Sequence, residues 1–340
     1  MSEQRPTHDA LFRGTFGRPD NARGLLRHWL PSSLTDLAVW DSLRLEDPSG
    51  LDEDLRPYYS DLLFSLTYRP AQGERSAATH PHDLMVYVLV EHQSTVDPRI
   101  AWRMLHYISL AQRRYLADSP ERDIPIVVPV LVSNATKPWP HALDLHSAYP
   151  ESLRALPQVQ PHVAQLHVIL DDLPATTIEE LVQRQLTDMA VVALCMLRDA
   201  RRFNRLLSSI PQWIGHLRRV LHSQPGDYAI LVQYLNSLTT AEQRVPLCDT
   251  ILREAPDMAQ QFLSSLDDLW NRGEERGRTE GRIEGRTTML REQLEVKFGA
   301  LPAWVDERLR SATDEQIREF AKRILTEQSL EATLATAERS

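Results

Sequence analysis

Cysteine is nearly absent. Cys195 and Cys248 are the two in 340 residues, so the chain can build neither a disulfide framework nor a Cys-based zinc site. Each stands in an apolar helical pattern, where free cysteine behaves as a small hydrophobe, and a reducing cytoplasm is the expected compartment. Long apolar runs are missing too. None approaches the roughly 18 consecutive residues that a membrane helix needs, and His8, Asp9, Arg13 and Arg18 interrupt any signal-like core near the start. Nor is there an excess of basic residues: 38 Lys and Arg stand against 47 Asp and Glu, a formal charge of −9. That balance argues against a protein that coats nucleic acid. It leaves room for one in which a single groove is positive.

What is present reads in three parts: 1–175, 176–271 and 272–340. The first mixes helix and strand. Short helices are expected at 9–16 and 21–29, and strands at 37–45, 58–68, 84–93, 124–132 and 163–170. A helix over 99–116 follows Pro98, with Ile100, Met104, Tyr107, Ile108 and Ala111 on one face. The second part is helical, with capping boxes at Thr177/Glu180 and Thr240/Gln243. The third opens with Gly273, Gly277, Gly281 and Gly285 at four-residue spacing. Such spacing is either a bare stripe along which two helices approach closely or a flexible charged linker, since each glycine costs about 1 kcal/mol of helix. Short helices then follow, one of them capped by Thr313 and Gln316.

Two strands carry the chemistry. In Tyr58-Tyr59-Ser60-Asp61-Leu62-Leu63-Phe64-Ser65-Leu66 a carboxylate interrupts an apolar run, which is costly unless the charge is paired or binds a metal. In Leu84-Met85-Val86-Tyr87-Val88-Leu89-Val90-Glu91-His92-Gln93 the apolar strand ends in three polar residues. Alternation places Glu91 and Gln93 on one face and His92 on the other. If the strands are neighbours, Asp61, Glu91 and the backbone carbonyl of His92 supply hard oxygen ligands suited to Mg²⁺ or Mn²⁺. A bland reading stands beside this one, with Asp61 as a hydrogen-bond acceptor and Glu91 as a solvated strand end. His80-Pro81-His82 reads as a solvated loop, because zinc needs three or four ligands.

An Asp on the second strand, Glu-x-Gln on the third, a long helix and a fourth strand resemble the layout of PD-(D/E)XK nucleases. More narrowly, the chain resembles the Rpn (recombination-promoting nuclease)/YhgA-like family. The residues that carry the resemblance are His8-Asp9-Ala10-Leu11-Phe12, Tyr59-Ser60-Asp61, Val90-Glu91-His92-Gln93-Ser94, Arg103-Met104-Leu105-His106-Tyr107, the strand to Val132 and the glycine-spaced tail. The resemblance implies a restriction-endonuclease-like α/β core with a mixed sheet. It also implies Mg²⁺-dependent cleavage of double-stranded DNA, linked to recombination or to defence against mobile elements and phage. Asp61 and Glu91 would bind metal, Gln93 would replace the usual lysine, and Asp9 would add a ligand or orient water, although an Asp there can equally be a helix cap. Glutamine can neither take a proton from water nor supply positive charge, so the general base stays unassigned.

Arg99 and Arg103 are candidates for DNA phosphates. A second cluster, Arg198, Arg201, Arg202 and Arg205, fits either phosphates or a salt-bridged surface. A homodimer or higher homo-oligomer through the tail would suit cleavage of two strands. Two alternatives remain at this point: a DDE-type transposase, which needs a third acidic residue downstream, and a catalytically inactive nuclease fold that binds DNA or assembles. Asp171 and Asp172 are available to the former, in a setting that reads as a loop.

Overall fold

The computed structural model describes residues 8–46, 62–69, 82–91 and 97–335, and over 82–91, 270–282 and 284 it describes the backbone path. It is a mixed α/β chain of two compact units, 1–265 and 266–340. The first unit thus holds both the sheet and the helices that follow it.

Its opening helices are α1 (His8–Phe16), α2 (Pro19–Trp29) and the short α3 (Ser32–Thr35). Pro19 starts α2, since a first-turn proline forfeits no helical hydrogen bond. A five-stranded sheet in the order β1-β2-β3-β4-β5 follows. Its strands are β1 (Ala38–Glu46), β2 (Leu62–Tyr68), β3 (His82–Glu91), β4 (Ile126–Ser133) and β5 (Ile169–Asp172). β1, β2 and β3 pair antiparallel, with a register shift in β1 between Val39 and Arg44. β3–β4 and β4–β5 are parallel. A parallel pair requires a crossover, and α4 (Ile100–Asp118) supplies it between β3 and β4. Pairing with β5 begins at Val130, just after Pro129, which has no N–H to give a ladder.

Each face of the sheet has its own cover. Leu62 and Phe64 of β2 meet Phe12, Phe16, Leu25, Leu26 and Trp29 of α1 and α2. Leu63, Val127 and Leu131 pack with Ile100, Met104, Tyr107 and Ile108 of α4. The spacing expected for α4 is therefore the spacing that buries it. A fully buried Leu or Phe in such a layer contributes about 1.5–3 kcal/mol.

The fifth strand differs from expectation. The span 150–162 is taken up by α5 (Glu151–Arg154) and by a single-turn helix at Gln160–His162, a segment punctuated by Pro150, Pro157 and Pro161. The strand starts only at Ile169 and runs on through Asp171 and Asp172.

Helices α6 (Ile178–Gln183), α7 (Asp188–Asp199), α8 (Phe203–Ser223), α9 (Pro225–Leu238) and α10 (Ala241–Glu254) complete the unit. α7 is buried from Met189 through Leu197, and a helix apolar all round belongs in an interior. Cys195 lies in that interior, where burial, seconded by the nearby Asp199 charge, pushes its thiol up to about 12. It is an inert packing group.

One helix, α11 (Ala259–Phe298), runs for 40 residues and includes all four spaced glycines. The linker alternative is therefore replaced by helix. It ends at Gly299, whose φ of +80° is the left-handed value that terminates helices. We expect Gly299→Ala to lower the stability of the second unit by about 1 kcal/mol, checked by urea unfolding followed by circular dichroism. In that unit Leu290, Leu294, Val305, Leu309, Ile317 and Phe320 form a core with α12 (Ala303–Ser311) and α13 (Asp314–Arg323), and α14 (Leu330–Thr333) follows. Thr313 and Gln316 exchange both capping hydrogen bonds, as their spacing predicts.

Candidate active site

The topology brings one end of every strand to one edge. Antiparallel pairing places the end of β1, the start of β2 and the end of β3 together. Parallel pairing adds the ends of β4 and β5. Open sheets bind ligands at such edges, beyond the carboxyl ends of their parallel strands. α4 is the crossover between the parallel β3 and β4, so its amino end lies toward this edge.

Glu91 is the last residue of β3 and is in register with Ser133, the last of β4, which is in register with Asp172, the last of β5. In-register positions of parallel strands lie on one side of a sheet, and for Ser133 and Asp172 that is the side of Leu131, which α4 covers. Glu46, the last residue of β1, is in register with Leu63 and accepts a hydrogen bond from the Ser65 hydroxyl. Asp61, His92 and Gln93 lie outside the described residues, as do His80 and Pro81. Leu62, which follows Asp61, pairs with Val88, three residues before Glu91. Among the described residues no three His, Cys, Asp or Glu side chains stand together as a metal site.

Asp171 and Asp172, adjacent in β5, have opposite surroundings. The Asp171 side chain is 2% exposed. It accepts two hydrogen bonds from Arg184, at 2.7 and 2.8 Å, and one from Trp29 Nε1 at 2.8 Å. Asp171 is a structural anchor between β5, α2 and the end of α6. Asp172 lies on the opposite side of the sheet, the side of Leu131 and α4. It accepts the backbone N–H of Trp139 at 2.8 Å. Burial raises its pKa, the Trp139 N–H and the Ser133 hydroxyl oppose the rise, and the charge of Asp171 adds to it.

A carboxylate held up in this way costs stability once ionised. The cost sets in as pH climbs from the ordinary carboxylate range through the raised value, and it is present in full at neutral pH. Asp172→Asn is therefore expected to raise the melting temperature at pH 7 and to lose that advantage near pH 3.5, below both values. Calorimetry at the two pH values checks this, and an unchanged melting temperature at pH 7 would contradict it.

The sequence signal for Asp172 was the apolar run Val168-Ile169-Leu170 followed by two acids, similar to the apolar run before Glu91. The signal for Glu46 was weaker, because β1 alternates irregularly around its register shift.

Asp9 lies in the first turn of α1, half-buried. The start of α4 is locked locally: Asp97 accepts the Arg99 backbone N–H at 2.8 Å and the Arg103 guanidinium at 3.3 Å. Arg99 remains exposed, whereas the Arg103 side chain is 19% exposed. The second arginine cluster is a frame. Arg198 Nε donates to the Thr176 carbonyl at 2.6 Å, Arg202 to the Thr136 carbonyl, and both Arg198 and Arg205 pair with the fully buried Asp199. Thr136 and Thr176 stand in the loops that leave β4 and β5, so these arginines fasten the rim of the edge.

No described helix is long and apolar enough to cross a membrane. Comparison with known proteins places relatives beside this geometry. The chain is 32% identical over 168 residues to the recombination-promoting nuclease RpnD of Escherichia coli O157:H7, covering 48% of the chain and 60% of that protein. It is 36% identical over 137 residues to the recombination-promoting nuclease RpnA of Escherichia coli strain K12, covering 40% of the chain and 43% of that protein. It is also 29% identical over 179 residues to a protein of strain K12 named inactive recombination-promoting nuclease-like protein RpnE, covering 52% of the chain and 54% of that protein. In each case the match spans less than two thirds of the relative's own length. No solved structure matches the chain. The family model described as "Putative transposase, YhgA-like" matches residues 6–225, and the chain belongs to that Rpn/YhgA-like family.

Proposed function

We propose that this chain is a metal-dependent DNA endonuclease with a PD-(D/E)XK-type core, acting in recombination or in defence against mobile DNA. The observation that carries the reading is the sheet edge. The residue after Asp61 pairs three residues short of Glu91, the last residue of β3, and α4 is the crossover from β3 to the parallel β4. The similarity to proteins named recombination-promoting nucleases supports it.

The donor set fits a hard divalent cation, because the acidic groups at this edge offer carboxylate oxygens and no thiolates. Asp61, Glu91 and the His92 carbonyl would hold Mg²⁺ or Mn²⁺, and Asp9, Glu46 and Asp172 are further acidic groups of the same unit. Bound there, such an ion supplies a Lewis acid and lowers the pKa of water. Among the chain's own residues, the exposed Arg99 attracts the phosphate. Gln93 orients water or phosphate by hydrogen bonds, since it carries no proton that it can give up or take. Two protomers joined through the tail would bring two such sites to the two strands of a duplex.

A second reading has one observation in its favour. Similarity extends to a relative named inactive, and a chain without a working site would bind DNA or assemble only. Incubating the pure chain with supercoiled plasmid and Mg²⁺, beside Asp61→Ala, separates the two. The wild type is expected to nick and the variant not to. Equal cleavage by both would overturn the site assignment, and an inert wild type would favour the second reading.

A further inference from the structure

We propose that the exposed face of α4 is a track for duplex DNA, leading away from the candidate active site along Arg99, Trp102, His106, Ser109 and Arg113. The inference rests on the nuclease reading for its choice of partner and goes beyond it in naming the surface. These residues recur every three or four positions, which is one face of a helix. All five are exposed, while Met104, Tyr107, Ile108 and Ala111 bury the opposite face.

Charge complementarity selects the occupant. The chain has 47 acidic residues in 340, yet of the 19 residues of α4 only the last, Asp118, is acidic. An ordinary solvated helix in so acidic a chain would mix both signs along its outer face. This one offers two guanidinium groups, an imidazole, a hydroxyl and an indole. The dipole at the amino end is already met by the Asp97 carboxylate, which accepts the Arg99 N–H, so the charge of the track rests on its side chains.

Trp102 is the second, independent observation. It is 58% exposed, although a tryptophan side chain repays burial more than almost any other. Trp29 and Trp213 of the same unit are 8% and 0% exposed. An exposed indole between two arginines suits a duplex, against which it can pack on sugars or wedge at a base step while the cations meet phosphates. From Arg99 to Arg113 the helix rises about 21 Å, or about six base-pair steps at 3.4 Å each. The track therefore reaches phosphates well beyond the scissile one.

The test is binding of the full chain to a fluorescent 20-base-pair duplex in EDTA, where cleavage cannot contribute. Wild type is compared with Trp102→Ala, Arg113→Glu and their combination, with Arg310→Glu, an exposed arginine of the second unit, as control. Circular dichroism confirms folding, and Arg113→Lys restores the charge. We expect the double variant to bind at least about tenfold more weakly. Arg113→Glu should reduce the slope of log affinity against log salt by about one. Arg113→Lys and Arg310→Glu should bind as wild type does. Wild-type affinity in the double variant, or a wild type that binds no duplex, overturns the proposal. So does a variant that loses self-association but not DNA binding, which would make the face a contact between copies. Because no metal is present, a chain that binds through this face but never cleaves would sink the nuclease reading and leave the track standing.

Discussion

Replacing Asp171 by alanine is expected to destabilise the first unit by about 3–5 kcal/mol, the range for removing one partner of a buried ion pair. The reason is the guanidinium left behind. The Arg184 side chain is 7% exposed and that of Asp171 2%. The two are joined by two hydrogen bonds, at 2.7 and 2.8 Å. Alanine strands a buried cation and also removes the acceptor of the Trp29 indole N–H. For a unit of this size the loss corresponds to a fall in melting temperature on the order of 10 °C. Removing both charges, as Asp171→Leu with Arg184→Met, should cost less than Asp171→Ala alone, because no uncompensated charge stays inside. Thermal melts of the three proteins decide. If the single variant lost less than about 1 kcal/mol, as an exposed pair would, the anchor would be disproved.

The larger effect is on chemistry. Glu91→Ala is expected to slow cleavage at least about a thousandfold, equivalent to about 4 kcal/mol of transition-state stabilisation. Binding of duplex in EDTA should be unaffected. The substitution deletes a hard oxygen donor at the edge where β3, β4 and β5 end together, and no neutral side chain replaces its charge. Gln93→Ala provides the contrast. A positioned general acid or base contributes about 10²–10⁴-fold, and glutamine is neither, so its loss should cost about tenfold or less. Single-turnover rates at saturating Mg²⁺ measure both. Equal losses from the two variants would contradict a site that works as a metal platform.

Much of the architecture was legible because it rests on local patterns. The run Leu62-Leu63-Phe64 is apolar on both faces because α1 and α2 cover one side of the sheet and α4 the other. The threonine capping boxes could be read directly, since they close within four residues. What escaped depended on distant partners. Asp171 and Asp172 read as loop because charged residues are rare in strands. In the fold one is neutralised by Arg184 and the other sits at an edge. Glu46 was missed because its place follows from the register of β1 on β2, which composition does not encode. The glycine repeat could be read as linker or helix, since intrinsic propensity disfavours the 40-residue helix that forms. The second arginine cluster could be read as phosphate-binding charge or, slightly favoured, as a salt-bridged surface, and Arg198 and Arg205 do pair with Asp199. Its other partners, the Thr136 and Thr176 carbonyls, lie far away in sequence.

The central claim is that the carboxylates at this edge make a metal-dependent nuclease. The most direct measurement is the initial rate of supercoiled plasmid nicking against Mg²⁺ concentration, for wild type and Glu91→Ala purified side by side. Saturable, EDTA-sensitive nicking by the wild type and none by the variant is the predicted result. Nicking of the same rate and metal dependence in both proteins would contradict it.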